Sequence, residues 1–133
     1  MRIRVVIVDD TDSLRELMRA HVEAEPGMEV VGEAVDGLHA VAVVRQAQPD
    51  AVILDVEMPV MDGLQALPGL LDAAPHAKIV VFSSRLEPDA EESARQRGAV
   101  GFFFKGRVKT GEVVTYVRDL FADGPGDAAR HDA

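Results

Sequence analysis

The chain has 133 residues, 47% of them apolar, and a formal net charge of -9. That suits one domain with one core and opposes direct nucleic-acid binding, which needs Lys and Arg to neutralise phosphates. It has no cysteine, which excludes disulfides and thiolate metal sites and is compatible with a reducing compartment. No apolar stretch has the length of a membrane span, and Met1-Arg2 leads straight into a strand-like run, so no signal peptide, no membrane partner and a cytoplasmic location are expected.

The first predicted element is a strand over Ile3–Val8, nearly all apolar and β-branched, as in a strand covered on both faces; it ends in Asp9 and Asp10. A helix follows. Ser13 with Glu16 has the form of a capping box, Asp12 competes for the cap, and Leu14, Leu17, Met18 and Val22 make one apolar stripe that Pro26-Gly27 stops. Residues 29–34 read as a strand of mixed polarity, suited to an edge or near-edge position. Over 38–48, Leu38, Val41, Val44 and Ala47 recur at helical spacing before Pro49-Asp50. Ala51–Leu54 is a buried strand closed by Asp55, with Met58-Pro59 and Asp62-Gly63 as turn signals after it.

Leu64, Leu67, Leu70 and Leu71 have the period of a third helix, but Pro68-Gly69 interrupts it. An interior proline removes a backbone bond and clashes with the preceding turn at about 3 kcal/mol, so a kink or a late start is expected. Residues 79–82 form the fourth strand and deliver Ser83; Pro88 opens the fourth helix and Gly98 closes it. Residues 100–104 form the fifth strand and deliver Lys105, and 109–122 are the last helix. The Gly- and Pro-containing tail 124–133 has nothing to bury and reads as disordered or a linker stump, leaving 1–123 as the domain.

Five strands alternating with five helices imply an α/β fold, a single-domain doubly wound parallel sheet with helices on both faces. Chemistry in such sheets collects at the carboxyl ends of the strands, here Asp9, Asp10, Asp55, Ser83 and Lys105. No glycine-rich phosphate loop is present. Carboxylates that converge repel: two unit charges ~4 Å apart at an effective dielectric of 20 cost ~4 kcal/mol. A hard divalent cation compensates, and Mg2+ favours oxygen ligands and keeps several waters. Asp10 and Asp55 are the expected direct ligands, a backbone carbonyl near Glu57 a third, and Asp9 holds one of the ion's waters. Lys105 and Ser83 suit the oxygens of a phosphoryl group. The Asp55 carboxylate can then attack phosphorus and become an acyl phosphate. His21, His39, His76 and His131 show no ligand spacing.

Asp9-Asp10, Asp55 with Met58-Pro59 and Asp62-Gly63, Ser83, and 101–104 before Lys105 resemble the receiver domain of two-component response regulators, over about residues 3–122. The resemblance implies the flavodoxin-like strand order 2-1-3-4-5. It makes Asp55 the phospho-acceptor, Asp9 and Asp10 the magnesium acids, Ser83 the switch hydroxyl, Lys105 the phosphate-binding lysine and Phe102 the switch aromatic. It also implies a histidine kinase or phosphotransfer protein as donor, an output domain or partner protein, and a second receiver as a partner after phosphorylation. Such a domain is no enzyme beyond its own phosphorylation and dephosphorylation.

Two departures stand out. Gly106 follows Lys105 where many receivers have a cis proline, which predicts a more mobile loop, and Phe102 lacks the hydroxyl of a tyrosine. The chain reads as a stand-alone receiver or as one parted from its output domain. A Mg2+-dependent phosphatase with an aspartyl nucleophile would want Asp-x-Asp, whereas Asp55-Val56-Glu57 offers a longer acid; a non-catalytic pseudo-receiver would lack an acid or the lysine, and none is lacking. Glu57 and Arg85, each two residues past a strand-end group, are expected to meet above Asp55 and control access. The face carrying Arg95, Arg97, Lys109 and Tyr116 is expected to change when Ser83 and Phe102 respond.

Overall fold

The structure, a computed structural model, describes residues 2–58, 60–84 and 88–122; the predicted tail 124–133 and Arg85 lie outside the described residues. Along the chain run β1 (Ile3–Val8), α1 (Asp12–Ala24), β2 (Met28–Ala34), α2 (Gly37–Ala47), β3 (Ala51–Leu54), α3 (Gly63–Ala73), β4 (Lys78–Ser83), α4 (Pro88–Gln96), β5 (Gly101–Phe104) and α5 (Thr110–Phe121). The strands form one parallel sheet in the order β2-β1-β3-β4-β5. This is the flavodoxin-like arrangement implied by the resemblance.

Because side chains alternate along a strand, each central strand serves two cores. Val6, Val8, Val52, Leu54, Ile79 and Val81 pack under α2, α3 and α4, against Ala40, Val44, Ala66, Leu67, Leu70 and Ala94. Ile3, Val5, Ile7, Ala51, Ile53, Val80 and Phe82 pack on the opposite face against Met18 and Val22 of α1 and Val113, Val114 and Val117 of α5. Burial on both sides accounts for the near-continuous apolar runs of β1, β3 and β4. β2 lies at the edge and is only partly buried along most of its length, in keeping with its mixed composition.

Two local expectations are corrected and a third is narrowed. The Ser13/Glu16 capping box does not form: α1 begins at Asp12 with Thr11 as its N-cap, and Arg15 N–H bonds the Thr11 carbonyl at 2.9 Å. The turn from β1 is too short to delay the helix, and Asp9 Oδ1 already accepts the Thr11 N–H at 2.9 Å. The α1 stripe also splits, with Met18 and Val22 buried but Leu14 and Leu17 37% and 45% exposed. Finally, of the kink or late start expected at Pro68, the late start does not occur: α3 begins at Gly63 and includes Pro68. Proline has no N–H for the carbonyl four residues back, and the Leu64 carbonyl so released accepts a bond from Arg97 Nη1 at 2.8 Å. Tertiary contact thus replaces the missing intrahelical bond.

Candidate functional site

The backbone ladder extends one residue past the strand ends and pins the functional residues there. Asp9 N–H bonds the Ala34 carbonyl at 3.1 Å, Asp55 N–H the Val8 carbonyl at 2.9 Å, and Lys105 N–H the Ser83 carbonyl at 2.8 Å. Beyond Asp55 the chain turns sharply into α3. A side chain at Gly63 would put its Cβ 2.4 Å from the Asp55 carbonyl oxygen, so the close return behind the acid requires glycine. Asp62 caps α3 and forms a capping box with Gln65.

Among the described residues, the buried polar or charged ones are Asp9, Asp55 and Ser83, at 7%, 5% and 0% exposure. All three belong to the predicted constellation. Carboxylate oxygens of Asp9, Asp10 and Asp55 lie within 4.8 Å of one another, with Asp10 on the exposed side. Lys105 Nζ donates to Asp9 Oδ2 at 3.2 Å and stands 3.6 Å from Asp55 Oδ2. Its ammonium also lies 5.5 Å from the centre of the Phe82 ring. Glu57 presents its backbone N–H to Asp55 Oδ1 at 3.2 Å, while its side chain is exposed.

One lysine does not offset three acids. Burial pushes the Asp55 carboxyl up to about 6; Lys105 opposes that, Asp9 adds to it, the Glu57 N–H opposes it and Asp10 adds to it. The excess of negative oxygen, with one acid open to water, is the donor set a hard divalent cation prefers, so the residues present fit Mg2+.

Phe102 pairs with Val81 and packs, half-buried, against the core under α3 and α4. Phe103 points to the other core and meets Tyr116 edge-on, with ring centres 4.9 Å apart. Tyr116 and Arg97, read from sequence as parts of one changing face, are both engaged: the Tyr116 hydroxyl bonds the Val100 carbonyl at 3.2 Å and Arg97 is turned to α3. At Gly106 a Cβ would lie 2.4 Å from the Phe104 ring, so a larger residue in this turn would require that ring to shift. The expected meeting of Glu57 with Arg85 falls outside the described residues.

Two features were not read from sequence. A groove of about 590 Å³ runs between α1 and the turn before α5, lined by Leu14, Leu17, Phe82 and Val108 and reaching Lys105. Arg15 bonds the Asp9 carbonyl. The unequal burial of the α1 stripe marks the groove, but it is visible only once α5 is in place.

A family model described as the response regulator receiver domain matches residues 5–118. The chain is 40% identical over 132 residues, 98% of its length and 37% of the relative's, to a protein-glutamate methylesterase/protein-glutamine glutaminase of Thiobacillus denitrificans. It is 42% identical over 113 residues, 84% of its length and 31% of the relative's, to such a protein of Rhodospirillum rubrum. The chain therefore spans about a third of the length of these curated relatives. The signal receiver domain of the putative response regulator NarL from Mycobacterium tuberculosis superimposes with a TM-score of 0.82 and 33% identity, covering 90% of this chain and 95% of that one. For the response regulator domain of Thermotoga maritima CheB the values are 0.79, 28%, 93% and 96%.

Proposed function

Since this chain belongs to the response regulator receiver domain family, we propose that it takes a phosphoryl group onto Asp55 from a histidine kinase or phosphotransfer protein and signals through Ser83 and Phe102. The observation that carries this reading is the meeting of Asp9, Asp10 and Asp55 oxygens within 4.8 Å, with the Lys105 ammonium 3.6 Å from Asp55. Asp10, Asp55 and the Glu57 carbonyl would hold Mg2+, with Asp9 on one of its waters. The ion, when bound, neutralises charge on the phosphoryl oxygens.

An oxygen of Asp55 forms the new bond to phosphorus as the phosphorus–nitrogen bond of a phosphohistidine donor breaks, its electron pair passing to the imidazole. Lys105, already between Asp9 and Asp55, turns its ammonium to the phosphoryl oxygens, and the Ser83 hydroxyl donates to another. The groove along Leu14 and Leu17 offers a donor apolar surface that ends at Lys105. Movement of Ser83 vacates space beside β5, and Phe102, half-buried beforehand, fills it; taking a phenylalanine ring from exposed to buried is worth ~1.5 to 3 kcal/mol, of which this step gains the remaining part. The changed β5 face is where a second receiver or an output partner docks. Similarity to the methylesterase/glutaminase relatives supports an output region of that kind.

Intact mass spectrometry after incubation with Mg2+ and acetyl phosphate tests the acceptor. One phosphoryl group per chain, absent from Asp55→Ala, is expected. An unchanged parent mass, or equal labelling of both proteins, removes the assignment.

A further inference from the structure

We propose that Arg15 is a positioning residue of the acid cluster: its guanidinium holds the peptide joining Asp9 to Asp10 and so sets the direction in which Asp10 meets a divalent cation. This inference rests on the receiver reading but concerns a side chain outside the groups that touch the phosphoryl. The guanidinium bonds three separate parts of the fold. Nη1 donates to the Asp9 carbonyl at 2.9 Å, Nε to Glu33 Oε1 at 3.1 Å and Nη2 to Asp12 Oδ1 at 2.7 Å. These acceptors lie in the β1–α1 turn, at the end of β2 and in the first turn of α1. The Arg15 side chain is 16% exposed, and the planar fork of arginine spreads its donors over three nitrogens that reach these separate acceptors at once, whereas the three N–H groups of lysine sit on a single nitrogen.

The need for such a brace differs between the two adjacent acids. Asp9 is held by its own side chain, since Oδ1 accepts the Thr11 N–H at 2.9 Å and Oδ2 accepts from Lys105 at 3.2 Å. Asp10 has no comparable anchor: among the described residues its carboxylate takes a 3.5 Å contact from Thr11 Oγ1. Its direction therefore follows from its backbone, and the peptide that begins its backbone is the one Arg15 grips. Groups outside the ligand set that orient the ligands commonly govern metal affinity.

Charge alone predicts the reverse effect. Arg15 is a cation beside an acid cluster, and its removal should tighten cation binding by electrostatics; loss of positioning should weaken it. Arg19 is the matched control, because it pairs with the other oxygen of Glu33 and makes no bond to Asp9. Magnesium titration of the whole chain, followed by backbone amide NMR at Asp10 and Asp55, separates the two accounts, with thermal melts to show that each variant is folded. Arg15→Met should bind Mg2+ about fivefold more weakly and Arg15→Lys at least about twofold more weakly, while Arg19→Met binds as the parent or tighter. Affinity equal to or tighter than the parent's in folded Arg15→Met or Arg15→Lys overturns the proposal; if the methionine variant does not fold, the lysine variant decides by the same criterion. A parent chain without any response to magnesium would instead overturn the receiver reading, and this inference with it.

Discussion

Two charge clusters flank the turn after β1, each built from acids and bases but to opposite effect. On one side Asp9, Asp10 and Asp55 face a single Lys105, and burial holds the Asp55 carboxyl up at about 6. On the other, Asp12 and Glu33 face Arg15 and Arg19, and the arginines meet both oxygens of Glu33. The Arg15 guanidinium is pushed further above its usual range, first by its bond to Asp12. The balanced cluster braces the fold; the unbalanced one stores repulsion that a cation can relieve. Composition does not distinguish them, and the difference lies in how many opposite charges reach each group of acids.

Removing one carboxylate from each cluster gives the largest contrast. The Asp10→Ala protein, without metal, should gain about 1 kcal/mol as repulsion falls. It should lose most of the stabilisation that the parent draws from magnesium, about 2.7 kcal/mol at one hundred times the dissociation constant. Glu33→Ala should instead lose about 1 kcal/mol of metal-free stability, because it leaves two guanidinium groups short of an acceptor. Urea unfolding with and without Mg2+ measures both. Shifts of the same sign in the two metal-free variants would break the comparison.

A smaller effect tests the stored repulsion through pH. The Asp55 carboxyl titrates at about 6 in the folded chain, above its ordinary 3.8, so the folded state binds more protons between these values. Stability should then fall as pH rises from about 4 to about 6 and level off above. Asp55→Asn abolishes this dependence. At pH 7.5 without metal it should be more stable than the parent by about 1 to 2 kcal/mol, and near pH 4 the advantage should vanish. An advantage of equal size at both pH values would show that ionisation of Asp55 carries no cost.

The smallest expected effect concerns a polar group satisfied without charge balance. Arg97 donates to the Leu64 carbonyl that Pro68 leaves free. Arg97→Met should cost about 1 kcal/mol in the parent and close to nothing beside Pro68→Ala, where the new N–H takes the same carbonyl. A thermal double-mutant cycle reads this coupling. Equal costs in the two backgrounds would mean that the Arg97 bond does not replace the lost helix bond.

Much of the site was legible because strand ends are marked locally. An apolar run such as Ala51–Leu54 breaks at a carboxylate, which puts Asp55 at the strand's mouth, and the same change from apolar to polar marks Ser83 as the last residue of β4 and Lys105 as the first past β5. Helix starts were less legible. Ser13 and Glu16 have the residue types of a capping box, yet Thr11 takes the cap because the pinned Asp9 fixes where α1 can begin. The Leu14 and Leu17 stripe has the period of a core face, but α5 covers only the part that includes Met18 and Val22.

The sequence by itself determined the alternation of strands and helices, the two-faced burial of β1, β3 and β4, and the identity of the residues delivered to the sheet's carboxyl edge. Each depends on hydrophobic pattern over a few neighbouring positions, which the chain carries locally. Only the tertiary structure decided that Asp9 and Asp55 are buried with Lys105 between them, that Arg15 reaches the Asp9 carbonyl, and that Arg97 completes α3. Apart from the Arg15 bond, which spans one turn, these join residues far apart in sequence, and all draw their energies from desolvation and from the direction of single hydrogen bonds, which exist only after the helices have packed on the sheet.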